Sequence, residues 1–443
     1  MTEKQKKFGL WSIVLLGFNS IIGSGIFLLP ASLYKFAGDW SVAMVFITGA
    51  LVASIALCFA EAAGYFSKNG AAYVYTKEAF GKFAGFEVGF LKWFMQCIAW
   101  AVMAVAFKNI LSNTFGFADD AILCNAIVIG IIVVLTGINL LGVDAAKMVN
   151  NVSTIAKMLP LVFLIVVGIW HITPSNIIPN SAINPTYTLN SETIISALIL
   201  AFYSFTGFET FGTAAEDMED PKKNLPRAIC ISLGIVMMFY ALVMAVTVGV
   251  LGESVATSGT PLADAARVVS GDFGYWLITI GSIVSIGGIN VAASFHIPRA
   301  LLPLADDKMI PEFFGKKNGN GIPTVAIIAS CVVTVPIALS GSFAQLAMLS
   351  VVARFVQYIP TCLSVLVFRK RFANDEAAKS SFKAPFGPVL PVLAVIICLY
   401  LLADQPPMKI AVGLGFMALI SPLYFIARKR AAVQQMQPAS EKA

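Results

Sequence analysis

The chain has 443 residues, 58% of them hydrophobic and only 12% charged, with a formal net charge of +6 and a mean hydropathy of +0.83. Soluble domains carry about 25% charged residues, so a water-soluble globule is excluded and much of the surface must meet lipid. The positive charge does not mark a nucleic-acid binder, because it follows the segments that flank apolar spans.

In chain order, twelve apolar segments are long enough to cross a bilayer, which takes roughly 20 residues. They run over 10–34, 41–66, 83–113, 121–142, 149–170, 192–215, 228–251, 274–300, 324–340, 343–368, 389–404 and 408–427. The polar start Met1–Lys7 leads into a segment too long for a signal peptide core, which predicts no cleavable leader. The first span is interrupted by Gly23-Ser24-Gly25. Glu61 closes the second, and Lys92 and Lys108 lie toward the ends of the third, where they are expected to snorkel. Lys157 sits about nine residues into the fifth span, about 13 Å deep at 1.5 Å per residue. The sixth is interrupted at Ser204-Phe205-Thr206-Gly207, followed by Glu209. The eighth carries Gly287-Gly288-Ile289-Asn290 and ends near His296, which is expected at the interface. The tenth carries Arg354, and the tail over 431–443 is expected to be disordered.

The seven cysteines, Cys58, Cys97, Cys124, Cys230, Cys331, Cys362 and Cys398, lie in apolar stretches without a CxxC pair. They read as small packing residues, not as disulfides or metal ligands. With two histidines in the chain, neither a metal site nor a cofactor is expected.

With the N-terminus inside, only Lys35, Arg267 and Lys409 of the 30 Lys and Arg residues fall in outer loops, and Lys92, Lys108, Lys157 and Arg354 fall within spans. The rest lie on the inner side, as the positive-inside rule requires. Both termini are therefore expected in the cytoplasm of a multi-pass cell-membrane protein.

The two breaks open two successive sets of five helices, 10–170 and 192–368, followed by two further helices within 389–427. Because five is odd, the second set enters the membrane inverted, and matched breaks in inverted repeats point to a transporter's binding site. An unwound backbone in lipid exposes groups that must find partners. The amides of Ser24, Gly25 and Ile26 begin the outer half-helix and suit a carboxylate. The carbonyl of Ile21, with those of Tyr203 and Thr206, suits an ammonium. An α-amino acid carries both charges at that separation, which makes Gly23 and Ser204 lining residues as well. Glu209 either carries a proton or gate, or hydrogen-bonds unwound backbone. Arg354 either lines the inner vestibule or pairs with an acid such as Glu209.

The string Gly17-Phe18-Asn19-Ser20-Ile21-Ile22-Gly23-Ser24-Gly25-Ile26-Phe27 resembles the first helix of the amino acid–polyamine–organocation superfamily. So do Asn69-Gly70-Ala71-Ala72-Tyr73-Val74-Tyr75 and Phe205-Thr206-Gly207-Phe208-Glu209 leading to Glu216-Asp217. Pro221-Lys222-Lys223-Asn224-Leu225-Pro226-Arg227, Arg299 with Ala305-Asp306-Asp307, and Pro385-Phe386-Gly387-Pro388 extend the likeness along the chain. The resemblance implies an all-α membrane fold of twelve helices, an inverted five-plus-five repeat plus two, working by alternating access. It also implies that Lys157 stands where sodium-coupled relatives hold a cation, making transport sodium-independent; Tyr240 in the seventh span is the polar neighbour expected for it.

Arginine/agmatine antiporters of the superfamily place a tryptophan after the Gly-Gly pair of helix eight, whereas here Ile289-Asn290 follows Gly287-Gly288. Small or aliphatic neutral L-amino acids are the expected substrates, moved by exchange or with protons, with Ile289 and Asn290 beside the side chain. Asn290 equally suits a helix-packing hydrogen bond. Cationic amino acids or polyamines are the alternative. A membrane sensor is the alternative of another class, though the tails are short for a signalling domain. No HExxH, GxSxG or paired-aspartate motif supports an enzyme, and no GxxxxGK[ST] loop supports an ATP-driven pump.

Overall fold

A computed structural model describes residues 9–66, 71–141, 146–178, 190–211, 218–374, 382–405, 415 and 417–429. The Asn69-Gly70 and Glu216-Asp217 motifs, the start of the twelfth expected span and the tail over 431–443 lie outside the described residues. Within them the protein is helical throughout, with no strand.

The first expected span is two helices, α1 (Leu10–Ile21) and α2 (Gly25–Ala37), separated by extended backbone at Ile22. Glycines at 23 and 25 disfavour continuing the helix. A turn at Gly38, with φ of +51°, leads to α3 (Ser41–Tyr65). The short α4 (Ala72–Phe80) precedes α5 (Lys82–Phe115), α6 (Ala121–Leu140) and α7 (Ala146–Gly168). α6 is capped by Asp120, whose carboxylate accepts from the Leu123 amide at 2.9 Å. α8 (Ser191–Ser204) starts from a capping box between Asn190 and Thr193. It ends well short of the 192–215 expected from hydropathy. There the Thr206 amide and hydroxyl both turn back to the Tyr203 carbonyl, at 3.2 and 2.7 Å.

α9 (Pro221–Leu251) and α10 (Pro261–Arg299) follow, the latter kinked at Ser270-Gly271. α11 (Leu302–Asp306), α12 (Thr324–Leu339), α13 (Phe343–Arg371), α14 (Val389–Ala403) and a helix over 417–429 complete the order. Seven described helical runs are long and apolar enough to cross a membrane, one of them the α2–α3 run around the Gly38 turn, and shorter apolar helices accompany them.

The bundle is apolar outside as well as inside. Trp11, Ile122, Val134, Trp170 and Ile396 are exposed, while Tyr34, Phe202 and Tyr240 are buried. Such an exterior is at home in lipid, where apolar side chains need no cover. α6 is peripheral, with 28% of its apolar window buried, whereas the Ser191–Phe211 run is central, with 78%. α1 packs on α9, and α2 on α8; α3 contacts α8 and α9, while α10 contacts α7 and α5. The two broken segments are thereby held side by side in the middle of the bundle. Glu61, fully buried, takes both Arg369 Nε and Nη2 at 2.7 and 2.6 Å and the Ala384 amide at 2.8 Å. The snorkelling expected of Glu61 is therefore replaced by a forked ion pair, the geometry that best compensates desolvation. All seven cysteines are free thiols.

Candidate functional site

The two breaks touch. Gly207 has φ of +117°, and a Cβ there would stand 2.4 Å from the Ser20 carbonyl oxygen, so only glycine allows the approach. A Cβ on Gly25 would stand 2.6 Å from Ser204 Oγ. Ser24, at the N-cap of α2, makes no capping bond and instead shares a buried 3.0 Å hydrogen bond with the Tyr203 hydroxyl. The break in one helix is thus tied to the end of the other by side chain as well as backbone.

Beside this crossing lies a cavity of about 650 Å³. Of the residues expected from sequence, Ile21, Gly23, Ser24, Gly25, Tyr203, Ser204, Thr206, Ile289, Lys157, Glu209 and Arg354 line it. In the first turn of α2 the Phe27 amide donates to the Ser24 carbonyl at 3.3 Å, while those of Gly25 and Ile26 come too early in the helix to have an acceptor within it, which leaves them for a ligand. The cavity opens beside His296, Arg299 and Pro303, all exposed.

Several expected roles are corrected. Ile26 is buried off the cavity, on the packed side of α2. Asn290 is fully buried and donates to the carbonyls of Met103 on α5 and Ile286 on α10, at 3.1 and 2.8 Å. It fastens two helices together and does not line the cavity. The Tyr203 carbonyl is taken by Thr206, so Tyr203 presents its hydroxyl instead. The Ile21 carbonyl accepts from Tyr240 at 3.1 Å. Tyr240 therefore stands behind the break, and no hydrogen bond joins it to Lys157 among the described residues.

Lys157, 1% exposed, donates to the carbonyls of Asn19 and Ile22, both at 2.7 Å. Together with Tyr240 it satisfies the last carbonyls of α1, which the break deprives of helical partners. Glu209 and Arg354 form a buried ion pair, 2% and 7% exposed, and both line the cavity. Glu209 Oε2 also accepts from the Gly207 amide at 2.9 Å and from Tyr358 at 3.3 Å. Both readings of Arg354 therefore apply, since it lines the cavity and pairs with an acid; of the two given for Glu209, the hydrogen bond to unwound backbone is present.

Sequence reading missed the α5 wall. Lys92, Gln96, Trp100 and Met103 line the cavity, and Lys92 does so instead of snorkelling. Their spacing of three and four marks one helical face, but not which face turns inward. His296 lines the mouth, and so does Tyr73 of α4. Tyr73 donates to Asp307, which is also bound by Lys77 at 2.5 Å. Burial pushes the Asp307 carboxyl up, but the bonds from Lys77 and Tyr73 outweigh it and hold the group below its ordinary value.

An apolar-surfaced helical bundle with a largely apolar cavity, dotted with charged groups, where two interrupted helices cross is built as a membrane transporter, not an enzyme. A family model described as "Amino acid permease" matches residues 8–424. The chain belongs to that family, within the amino acid–polyamine–organocation superfamily. It is similar to an uncharacterized transporter of Mycobacterium bovis, 35% identical over 417 residues, covering 88% of this chain and 86% of that one. It is also similar to a serine/threonine exchanger of Bacillus subtilis, 26% identical over 97% of this chain and 98% of that one. A branched-chain amino acid permease of the same organism is 25% identical, over 97% and 95%.

Proposed function

We propose that the protein is a sodium-independent secondary transporter of small or aliphatic neutral L-amino acids, working by alternating access as an exchanger or with protons. Twelve spans in an inverted five-plus-five arrangement with two more, both termini cytoplasmic in the cell membrane, complete the reading. In that orientation the cavity opens inward.

One observation carries it. Lys157 places a fixed ammonium against the carbonyls of Asn19 and Ile22 at the end of α1. A cation held by protein at that point removes the need for a bound sodium ion. The α-carboxylate is assigned to the α2 amides beside Gly23-Ser24-Gly25, and the α-ammonium to the Thr206 carbonyl, which accepts no hydrogen bond among the described residues.

Selectivity follows from charge. Among the described residues lining the cavity, four basic side chains, Lys92, Lys157, Arg299 and Arg354, face a single carboxylate, Glu209, which is already paired. A cationic side chain entering there is repelled. One relative is a serine/threonine exchanger and another a branched-chain amino acid permease, and both fit a neutral substrate.

The test is uptake of radiolabelled neutral amino acids into proteoliposomes with sodium replaced by choline. Uptake should persist, and unlabelled arginine should compete at least about tenfold less well than the best neutral amino acid, a difference of about 1.4 kcal/mol. A strict sodium requirement, or arginine as the best competitor, overturns the reading.

A further inference from the structure

Three of the four cations lining the cavity are matched by the protein itself. Lys157 holds two carbonyls, Arg354 is paired with Glu209, and Arg299 donates to the Phe295 carbonyl and lies over its ring. Lys92 has no such counterpart: among the described residues its ammonium has no carboxylate, carbonyl or ring partner. Ten residues into α5, it stands well inside the bundle, about 15 Å along the helix from Lys82.

An ammonium at such depth with nothing opposite it is disfavoured, and ionisable groups there are retained for what they bind. Gln96 follows one helical turn later on the same face and also lines the cavity. Its Oε1 is buried and unpartnered, and its amide NH₂ has no acceptor among the described residues. His296 and Arg354 lie close enough to Lys92 to interact with it electrostatically. Of the two, Arg354 adds a permanent positive charge, and Glu209, the only carboxylate lining the cavity among the described residues, is engaged elsewhere.

We propose that Lys92 and Gln96 form a subsite for one small monoanion on the α5 wall. The anion arrives either as a free halide such as chloride or as a carboxylate on the side chain of the transported amino acid. This rests on the cavity being the substrate route, but not on the neutral selectivity argued above. The ammonium supplies charge and the amide NH₂ a directed donor, with Arg354 strengthening the field. An anion bound there would neutralise part of the cationic surplus while the substrate's own charges are held at the helix breaks.

The experiment compares wild type, Lys92→Met and Lys92→Arg, purified and reconstituted. Thermal unfolding is read first, in sodium chloride and in sodium gluconate, without transport. If the occupant is a halide, chloride stabilises wild type and Lys92→Arg by several degrees but leaves Lys92→Met unmoved. Replacing chloride then raises the half-saturating concentration of a neutral amino acid at least fivefold, in wild type and not in Lys92→Met. If the occupant is the substrate's carboxylate, glutamate or aspartate competes for uptake in wild type, and at least tenfold less well in Lys92→Met. Equal chloride responses together with equal acidic competition in wild type and Lys92→Met overturn the subsite. Where uptake fails, both arms are read by unfolding instead: chloride, or glutamate and aspartate, must stabilise wild type more than Lys92→Met, and equal shifts from all three overturn the subsite.

Discussion

Replacing Lys157 by methionine keeps the apolar stem out to Cε and removes the ammonium with its charge and donors. The wild-type ammonium makes two bonds of 2.7 Å to the Asn19 and Ile22 carbonyls in a site from which water is nearly excluded. Hydrogen bonds involving a charged group contribute about 1.5–3 kcal/mol each. Losing both removes at most about 3–6 kcal/mol of support for the docked end of α1. Relief of the buried charge offsets part of that, leaving a net loss of about 2 kcal/mol or more. At about 1.4 kcal/mol per tenfold, a loss of that size shifts the population of the docked conformation roughly 30-fold. Transport depends on moving between conformations of α1, whereas a strong ligand can still select the competent one. Initial rates of sodium-free uptake should therefore fall by more than tenfold, with a smaller loss in equilibrium binding measured by thermal shift. Lys157→Met with wild-type uptake and an unchanged melting temperature would refute the reasoning.

Three further outcomes follow from the geometry. Gly25→Ala should abolish binding by driving its Cβ into Ser204 Oγ, at 2.6 Å; the Gly25→Ala/Ser204→Gly pair should recover part of it, and a single variant with wild-type affinity would move the site elsewhere. Glu209→Gln leaves Arg354 buried and uncompensated, so it should destabilise by about 3–5 kcal/mol in thermal unfolding. Adding Arg354→Met should restore a good part of that loss, and failure to do so would show that the pair is not the source. Asp307 has a lowered carboxyl value, so its contact with Lys77 and Tyr73 is complete above the ordinary carboxylate range and is lost as the pH falls through the lowered value. Thermal melts taken down through about pH 4 should show an acid-side loss that Asp307→Asn lacks; identical acid limbs would exclude the contact.

Much of the site was legible because the bilayer restricts what a sequence can do. Apolar spans cannot hide an interruption, so Gly23-Ser24-Gly25 and the Thr206-Gly207 turn announced themselves, as did a lysine as deep as Lys157. Composition and the order of motifs led to the family without any coordinates. Helix phase was not legible. In a chain apolar on every side, hydrophobic periodicity no longer says which face turns inward, so the Lys92–Gln96–Trp100 wall passed as ordinary span, and whether Asn290 meets the pocket or packs against α5 stayed open. Nor does sequence say which acceptors are already spent. Only tertiary packing gives the Ile21 carbonyl to Tyr240 and the Tyr203 carbonyl to Thr206, pairs Glu209 with Arg354, and brings Gly207 against Ser20. The physical reason is that a broken helix fixes where backbone groups are freed, while the helices packed around it fix which partners they meet.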